Sequence, residues 1–436
     1  MTEQQPPVVV IGAGPVGLAA AAHLAGRGLT PLVLESGRVA GAAVREWAHV
    51  RLFSPWSELV DAEAEKLLAP TGWIRPDPAA CPTGGEWAGR DRVVDAEREA
   101  RPFTVHVTHE DGGEERLLAA AVVDASGSWR VPGPAGGDGL PALGEKAAAD
   151  RVTYRAPDLA DPAVRARHAG RRTAVIGSGA SAFTALAALA ELAEADDGTG
   201  THVSWVLRRG ISGSTFGGGT ADQLPARGAL GLAAKAAEDQ GHADAVTGFR
   251  TTAIERDGDG SVVLVAEDGR RLGPVDEVVV LTGLRPDLSF LSEIRLGLDE
   301  RLEAPVALAP LIDPNQHSCG TVRPHGHREL AHPERDFYLV GAKAYGRAPT
   351  FLALTGYEQV RSVTAALAGD TESADRVELV LPETGVCGGA GLFDAPAEAS
   401  GSSGCCAPAA PAPQVVRVPQ VLRLGLRPEQ AGGCCG

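Results

Sequence analysis

The chain has 436 residues, enough for two or three domains with complete cores. Its 44% apolar and 22% charged content is that of an ordinary globular protein, and a net charge of −16 argues against non-specific binding to nucleic acid or anionic membranes. The N-terminal MTEQQPP lacks the basic stretch of a secretory signal, and the apolar residues after it are broken by Gly and Pro, so a cytoplasmic location without a membrane span is expected.

Residues 8–37 organise the first part of the chain. Residues 8–11 read as a buried parallel strand, and Gly12, Gly14 and Gly17 follow at GxGxxG spacing, with Pro15 opening an Ala-rich helix. The three glycines serve different ends. Gly12 allows the tight turn, Gly14 lets a pyrophosphate approach the backbone, and Gly17 lets the helix pack on the strand. The helix start offers unpaired N–H groups and roughly half a positive charge to that pyrophosphate. A second apolar run, 31–34, ends on Glu35, which suits a ribose 2′-OH and repels a 2′-phosphate. These features predict FAD here.

The next segment is aromatic for this chain, with Phe53, Trp56, Trp73 and Trp87; it reads equally as a covering subdomain or as the lining of a pocket beside the cofactor. Residues 103–109 and 116–125 read as antiparallel strands that end in DASG, where Ser126 and Gly127 form a small-residue turn. A Pro- and Gly-rich linker, 131–144, follows.

The pattern then repeats. Residues 174–176 are a strand, and Gly177, Gly179 and Ala182 form GxGxxA, with Ala180 and Ser181 in the first turn of a helix running to about residue 195. The strand 202–207 ends on Arg208 and Arg209 where the first repeat has an acid. Guanidinium groups pair bidentately with phosphate, which predicts NADPH. Gly258 and Gly269 mark hairpin turns, and the repeat closes at Gly283 as the first closes at Gly127. The chain then returns through a strand at 337–340, a turn at Gly341 and an amphipathic helix at 350–367.

The expected fold class is therefore α/β: two Rossmann-like dinucleotide-binding domains, the FAD domain discontinuous and the NADPH domain inserted, plus a disordered C-terminal tail. The expected bounds are 1–150 and 301–374 for the FAD domain, 151–300 for the NADPH domain and 375–436 for the tail. Five of the seven cysteines, Cys387, Cys405, Cys406, Cys434 and Cys435, lie in that tail. Thiolates select soft metals and metalloids, so two vicinal pairs with a third thiol could wrap a trigonal As(III); accidental placement is the alternative. No spacing matches a zinc finger.

Two dinucleotide turns closed by DASG and LTG resemble the two-dinucleotide-binding-domain flavoproteins, which include flavin monooxygenases and thioredoxin-reductase-like enzymes. The redox CxxC of the reductases is absent, and so is the FxGxxxH-type signature of flavin monooxygenases. RLFSPW, the stretch 312–326 and the stretch 343–362 are instead similar to the flavin-binding monooxygenase-like proteins of actinobacterial arsenic-resistance operons, over roughly residues 7–372. That resemblance implies hydride transfer from NADPH to FAD, and oxygen delivery from reduced FAD to the lone pair of a trivalent arsenical or a thiolate. It also implies that His317 and Cys319 face the substrate, that Lys343 and Arg347 steady anionic charge, and that Phe53 and Trp56 exclude water. Cys319 reads otherwise as a small buried hydrophobe, and His317 and His325 as satisfied loop histidines. A disulfide or metal reductase, or a metalloid-binding flavoprotein, are the competing readings. The expected partners are a small-molecule substrate and, for the assembled protein, a second copy of the chain.

Overall fold

The computed structural model describes residues 6–52, 54–71, 73, 102–109, 112–222, 224–314, 322–349 and 351–379. All of them belong to the unit Met1–Ala395; the remaining unit, Pro396–Gly436, lies outside the described residues.

Two parallel sheets carry the molecule. In the first, Val8–Ile11 lies between Pro31–Leu34 and Ala121–Asp124, with Phe337–Leu339 beyond Ala121–Asp124. Val8–Ile11 and Ala121–Asp124 are buried along their whole length, as strands covered on both faces must be. Ala121–Asp124 is thus a parallel core strand, and only Phe103–Thr108 and Glu114–Ala119 form the antiparallel hairpin expected over 103–125. In the second sheet Arg172–Ile176 is central, between His202–Val206 and Glu277–Val280, with Ala243–Val246 and Val152–Thr153 at the edges. A three-stranded antiparallel sheet, Thr251–Arg256, Val262–Ala266 and Arg271–Val275, is laid against it, turning where the hairpin glycines predict.

The chain crosses between the sheets twice, at Val131–Pro132 and at Leu284–Arg285, and these two segments pair antiparallel. The two crossings bracket residues 133–283, and the second sheet lies between them. Ala135, Ala142 and Ala148 are buried with Phe249 and Ile254 of the second domain, and Leu291 and Ile294 are buried with Val8 and Val9 of the first.

The closing helix, Ala353–Leu367, also departs from expectation. It is buried from Thr355 through Ala365, so it is a central helix, not an amphipathic one. Its polar residues are paired: Arg361 makes two bonds to Glu358, at 2.7 and 3.0 Å, and caps the Ser373 carbonyl at 2.7 Å. The ordered body also runs beyond the expected boundary at residue 375. Asp375 ends the helix Thr371–Asp375 and binds Arg328 at 2.5 and 2.7 Å and His327 at 2.9 Å.

Two buried histidines make stability depend on pH. His168, bonded to Thr173 Oγ1, and His332, bonded to the Gly297 N–H, are pushed down to about 4, chiefly by burial. Their folded values lie below the unfolded value, so their contribution is complete above about pH 6.5 and is lost as pH falls through 4. Each represents on the order of 3 kcal/mol. Urea unfolding should show stability falling steadily from pH 7 to pH 4.5, and a flat profile would contradict this assignment.

Among the described residues, no helix is long and apolar enough to cross a membrane, and no group of three or more His, Cys, Asp or Glu side chains is placed to hold a metal.

Candidate dinucleotide-binding sites

At the first site two of the three glycines are required by close backbone packing and the third is open. Gly12 has φ +88°, and a Cβ there would lie 2.7 Å from Ser126 Cα and 2.8 Å from the Ala125 carbonyl oxygen. A Cβ on Gly17 would collide with the Gly12 carbonyl oxygen, so helix and turn touch there. A Cβ on Gly14 would meet nothing within 4 Å. Gly14 is also the N-cap of the helix Pro15–Gly26, with Pro15 opening the first turn and no side chain capping it. By contrast the helices Ala62–Leu68, Pro162–His168 and Thr371–Asp375 are each capped by an aspartate. An uncapped helix start behind an open glycine leaves its N–H donors to an external anion. Glu35 follows the neighbouring strand and accepts the Gly37 N–H at 2.5 Å. The cradle fits a dinucleotide with a free ribose diol, and FAD is such a molecule.

Two further strand ends meet beside this turn. Ala121–Asp124 runs into Ser126 and Gly127, the latter at φ +71° with open space where a Cβ would be. Phe337–Leu339 runs into Gly341, at φ +69°. Lys343 joins the two: its Nζ lies 2.6 Å from Asp124, donates to Ser126 Oγ at 2.8 Å and sits 4.2 Å from the centre of the Phe290 ring. Both charged side chains have 0% exposure. Lys343 therefore fastens two strand ends together and does not present its charge to a substrate, which corrects the role expected for it.

Arg347, by contrast, is exposed. A Cβ on Gly139 would lie 3.5 Å from Arg285 Nη2 and 3.9 Å from Arg347 Nη2, so two guanidinium groups converge there. Arg285 escaped the sequence reading, although it follows the closing Gly283 by two positions. Trp56 opens the turn Trp56–Leu59, which Tyr357 fastens by donating its hydroxyl to the Leu59 carbonyl at 2.6 Å. Trp47 packs on Trp129, whose indole N–H donates to Glu46 at 2.5 Å, and Arg155 stacks on Trp129 at 3.8 Å. Phe53, Trp87, His317, Cys319, Cys387, Cys405, Cys406, Cys434 and Cys435 lie outside the described residues.

The second site repeats the first with one substitution. Gly177 has φ +135°, and a Cβ there would strike the Leu281 carbonyl oxygen. Gly179 is open and is the uncapped N-cap of the helix Ala180–Glu194, whose Ser181 is exposed. Ala182, fully buried, stands in for the third glycine. Trp205 holds the turn by donating its indole N–H to the Gly177 carbonyl at 2.8 Å, and its ring packs on Phe183 and Phe216. Gly283 closes the site at φ +104°, again with open space around it. Arg208 and Arg209 follow the strand His202–Val206, both exposed and in no ion pair among the described residues.

Two glycine turns on two parallel sheets, joined by a paired double crossing, define an FAD/NAD(P)-dependent oxidoreductase of the two-dinucleotide-binding-domain type. The model of the pyridine nucleotide-disulphide oxidoreductase family matches residues 6–307, and the chain belongs to that family. The fold is similar to that of the bacillithiol disulfide reductase Bdr (YpdA) from Bacillus cereus: 20% identity, TM-score 0.59, covering 84% of this chain and 99% of that one. It is also similar to DfoA, a cadaverine monooxygenase of desferrioxamine biosynthesis from Erwinia amylovora, at 16% identity and TM-score 0.56, covering 87% and 99%. Thioredoxin reductase from T. acidophilum is similar at 16% identity and TM-score 0.50, covering 85% and 99%. No curated protein matches the chain.

Proposed function

We propose that the protein is an FAD- and NADPH-dependent monooxygenase acting on a trivalent arsenical or a thiol-linked substrate. The observation that carries the cofactor pairing is the opposite charge at two equivalent strand ends, Glu35 in the first sheet and Arg208–Arg209 in the second. Bound FAD supplies the redox chemistry of such an enzyme, taking up hydride and reacting with dioxygen. The chain's own residues do the rest. The uncapped start of Pro15–Gly26 holds the FAD pyrophosphate, and that of Ala180–Glu194 holds the NADPH pyrophosphate. Ser126, Gly127, Gly283 and Gly341 form the turns that flank the cofactors, and Trp56 excludes water. Arg347, with Arg285, steadies anionic charge that develops at the site, and His317 and Cys319 receive the soft centre of the substrate.

The sequence favours this reading over a disulfide reductase because it contains no CxxC pair. The five cysteines after residue 386 act in the same scheme as thiolate ligands for As(III). NADPH oxidation and dioxygen uptake, measured with and without arsenite or methylarsenite, test the proposal. Both rates should rise together with the arsenical, and serine at all five tail positions should lower the concentration response without removing the flavin. NADPH oxidation driven by a disulfide with no dioxygen uptake would favour the reductase.

Arg208→Ala with Arg209→Ala tests the nicotinamide assignment. Losing a charge-assisted contact costs on the order of 1.5–3 kcal/mol, or about tenfold to a hundredfold in affinity. The KM for NADPH should rise by that factor while that for NADH stays nearly constant. Equal changes for both would show the pair to be structural.

A further inference from the structure

The turn at Gly341 touches the first dinucleotide turn, since a Cβ on Gly341 would come within 3.2 Å of Val16, in the first turn of Pro15–Gly26. Within that turn the N–H groups of Gly341, Ala344, Tyr345 and Gly346 are bonded inside the protein. Those of Ala342 and Lys343 take no partner among the described residues, which leaves two donors beside the dinucleotide turn.

The Gly341 N–H donates to Gln359 Oε1 at 2.6 Å. The Gln359 amide nitrogen lies 2.8 Å from His325 Nε2, and His325 Nδ1 lies 3.1 Å from the Arg323 carbonyl oxygen. A carbonyl can only accept, so His325 carries its proton on Nδ1 and accepts from the Gln359 amide at Nε2. The relay thereby fixes which way the Gln359 amide faces. Gln359 has no exposed surface, Tyr345 packs on His325 at 5.5 Å, and burial holds the imidazole neutral. A leucine would fill the same space in the helix; what the amide adds is a fixed orientation for the peptide plane entering Gly341.

We propose that Gln359, oriented by His325, is a positioning residue for the flavin: it sets the Gly341 turn, whose free Ala342 and Lys343 N–H groups meet the cofactor. This rests on the assignment of FAD to the first site. A donor pair at that place interacts differently with the oxidised and the reduced cofactor, so moving it changes the ratio of the two affinities.

The test compares the full-length protein with Gln359→Met, Gln359→Glu and Ser362→Ala, measuring FAD affinity, flavin midpoint potential and melting temperature. Met matches the size of Gln and makes neither bond. Its potential should move by about 30 mV, the equivalent of a tenfold change in the affinity ratio of a two-electron couple. Glu still accepts the Gly341 N–H at one carboxyl oxygen, and a proton shared between its other oxygen and His325 Nε2 leaves the Nδ1 proton donated to the Arg323 carbonyl, so FAD affinity should stay within about threefold of wild type. Ser362 lies three residues along the same helix and bonds the His327 N–H at 2.9 Å and the Ala374 carbonyl at 2.7 Å. Its alanine variant should melt earlier with an unchanged potential. A wild-type potential in Gln359→Met, or an equal shift in Ser362→Ala, overturns the proposal. If Gln359→Met holds no flavin, Gln359→Glu decides: retained flavin supports the relay and lost flavin overturns it. Wild-type protein that holds no FAD would overturn the cofactor assignment itself, before any variant is compared.

Discussion

Gly14→Val yields a folded protein that purifies without yellow colour. A Cβ at this position would meet nothing within 4 Å and the backbone is extended, so the fold can carry a side chain there at the modest cost of a poorer N-cap. The same space is the approach to the open N–H groups of Pro15–Gly26, and a branched side chain in it displaces any pyrophosphate. A loss of at least a hundredfold in FAD affinity is expected, about 2.7 kcal/mol. Gly17→Val is the contrasting case, because its side chain collides with the Gly12 carbonyl and should damage the fold as well as the site. Flavin content and the melting temperature of the apoprotein separate the two. Normal flavin content in Gly14→Val would remove the first site from the account.

Lys343→Met should be among the most destabilising single changes in the chain. It leaves the Asp124 carboxylate buried with no counter-charge, and breaking one side of such a pair costs about 3–5 kcal/mol. Asp124 also accepts the Ser126 N–H at 3.0 Å, so the loosened carboxylate disturbs the turn that closes the first site. Lys343→Met with Asp124→Asn should recover most of the loss, since the charge that has no partner is then gone. Urea unfolding of wild type and the two variants reads this directly. A single variant within about 1 kcal/mol of wild type would mean the pair is solvated in the working protein.

The parts of this architecture that are legible in the sequence are those where backbone geometry demands a particular residue. Gly12, Gly14 and Gly17, and then Gly177 and Gly179, sit in the turns their spacing predicts: Gly12, Gly17 and Gly177 because a Cβ there would strike backbone, Gly14 and Gly179 because the space before the helix start is left open. The domain boundaries are harder to read because the signal is small side chains. Ala135 and Ala142 lie in the Pro- and Gly-rich stretch that looks like a linker, and Ala148 just beyond it, yet all three are buried under the second domain. Alanine has no strong hydrophobic period to show this.

The helix Ala353–Leu367 misleads for the opposite reason. Glu358, Gln359, Arg361 and Ser362 look like a solvent face, whereas each finds a partner in the interior, three of them through segments distant in sequence. Lys343 enters the sequence reading only through the family resemblance, because its buried partner Asp124 stands far from it in sequence and only the shared sheet edge brings the two together.

The most direct test of the central claim is the visible absorbance of the purified protein titrated anaerobically with reduced nicotinamide nucleotides. The account predicts a flavin spectrum that NADPH bleaches, while NADH at the same concentration leaves it largely intact. A protein without flavin, or a flavin that neither nucleotide reduces, would contradict it.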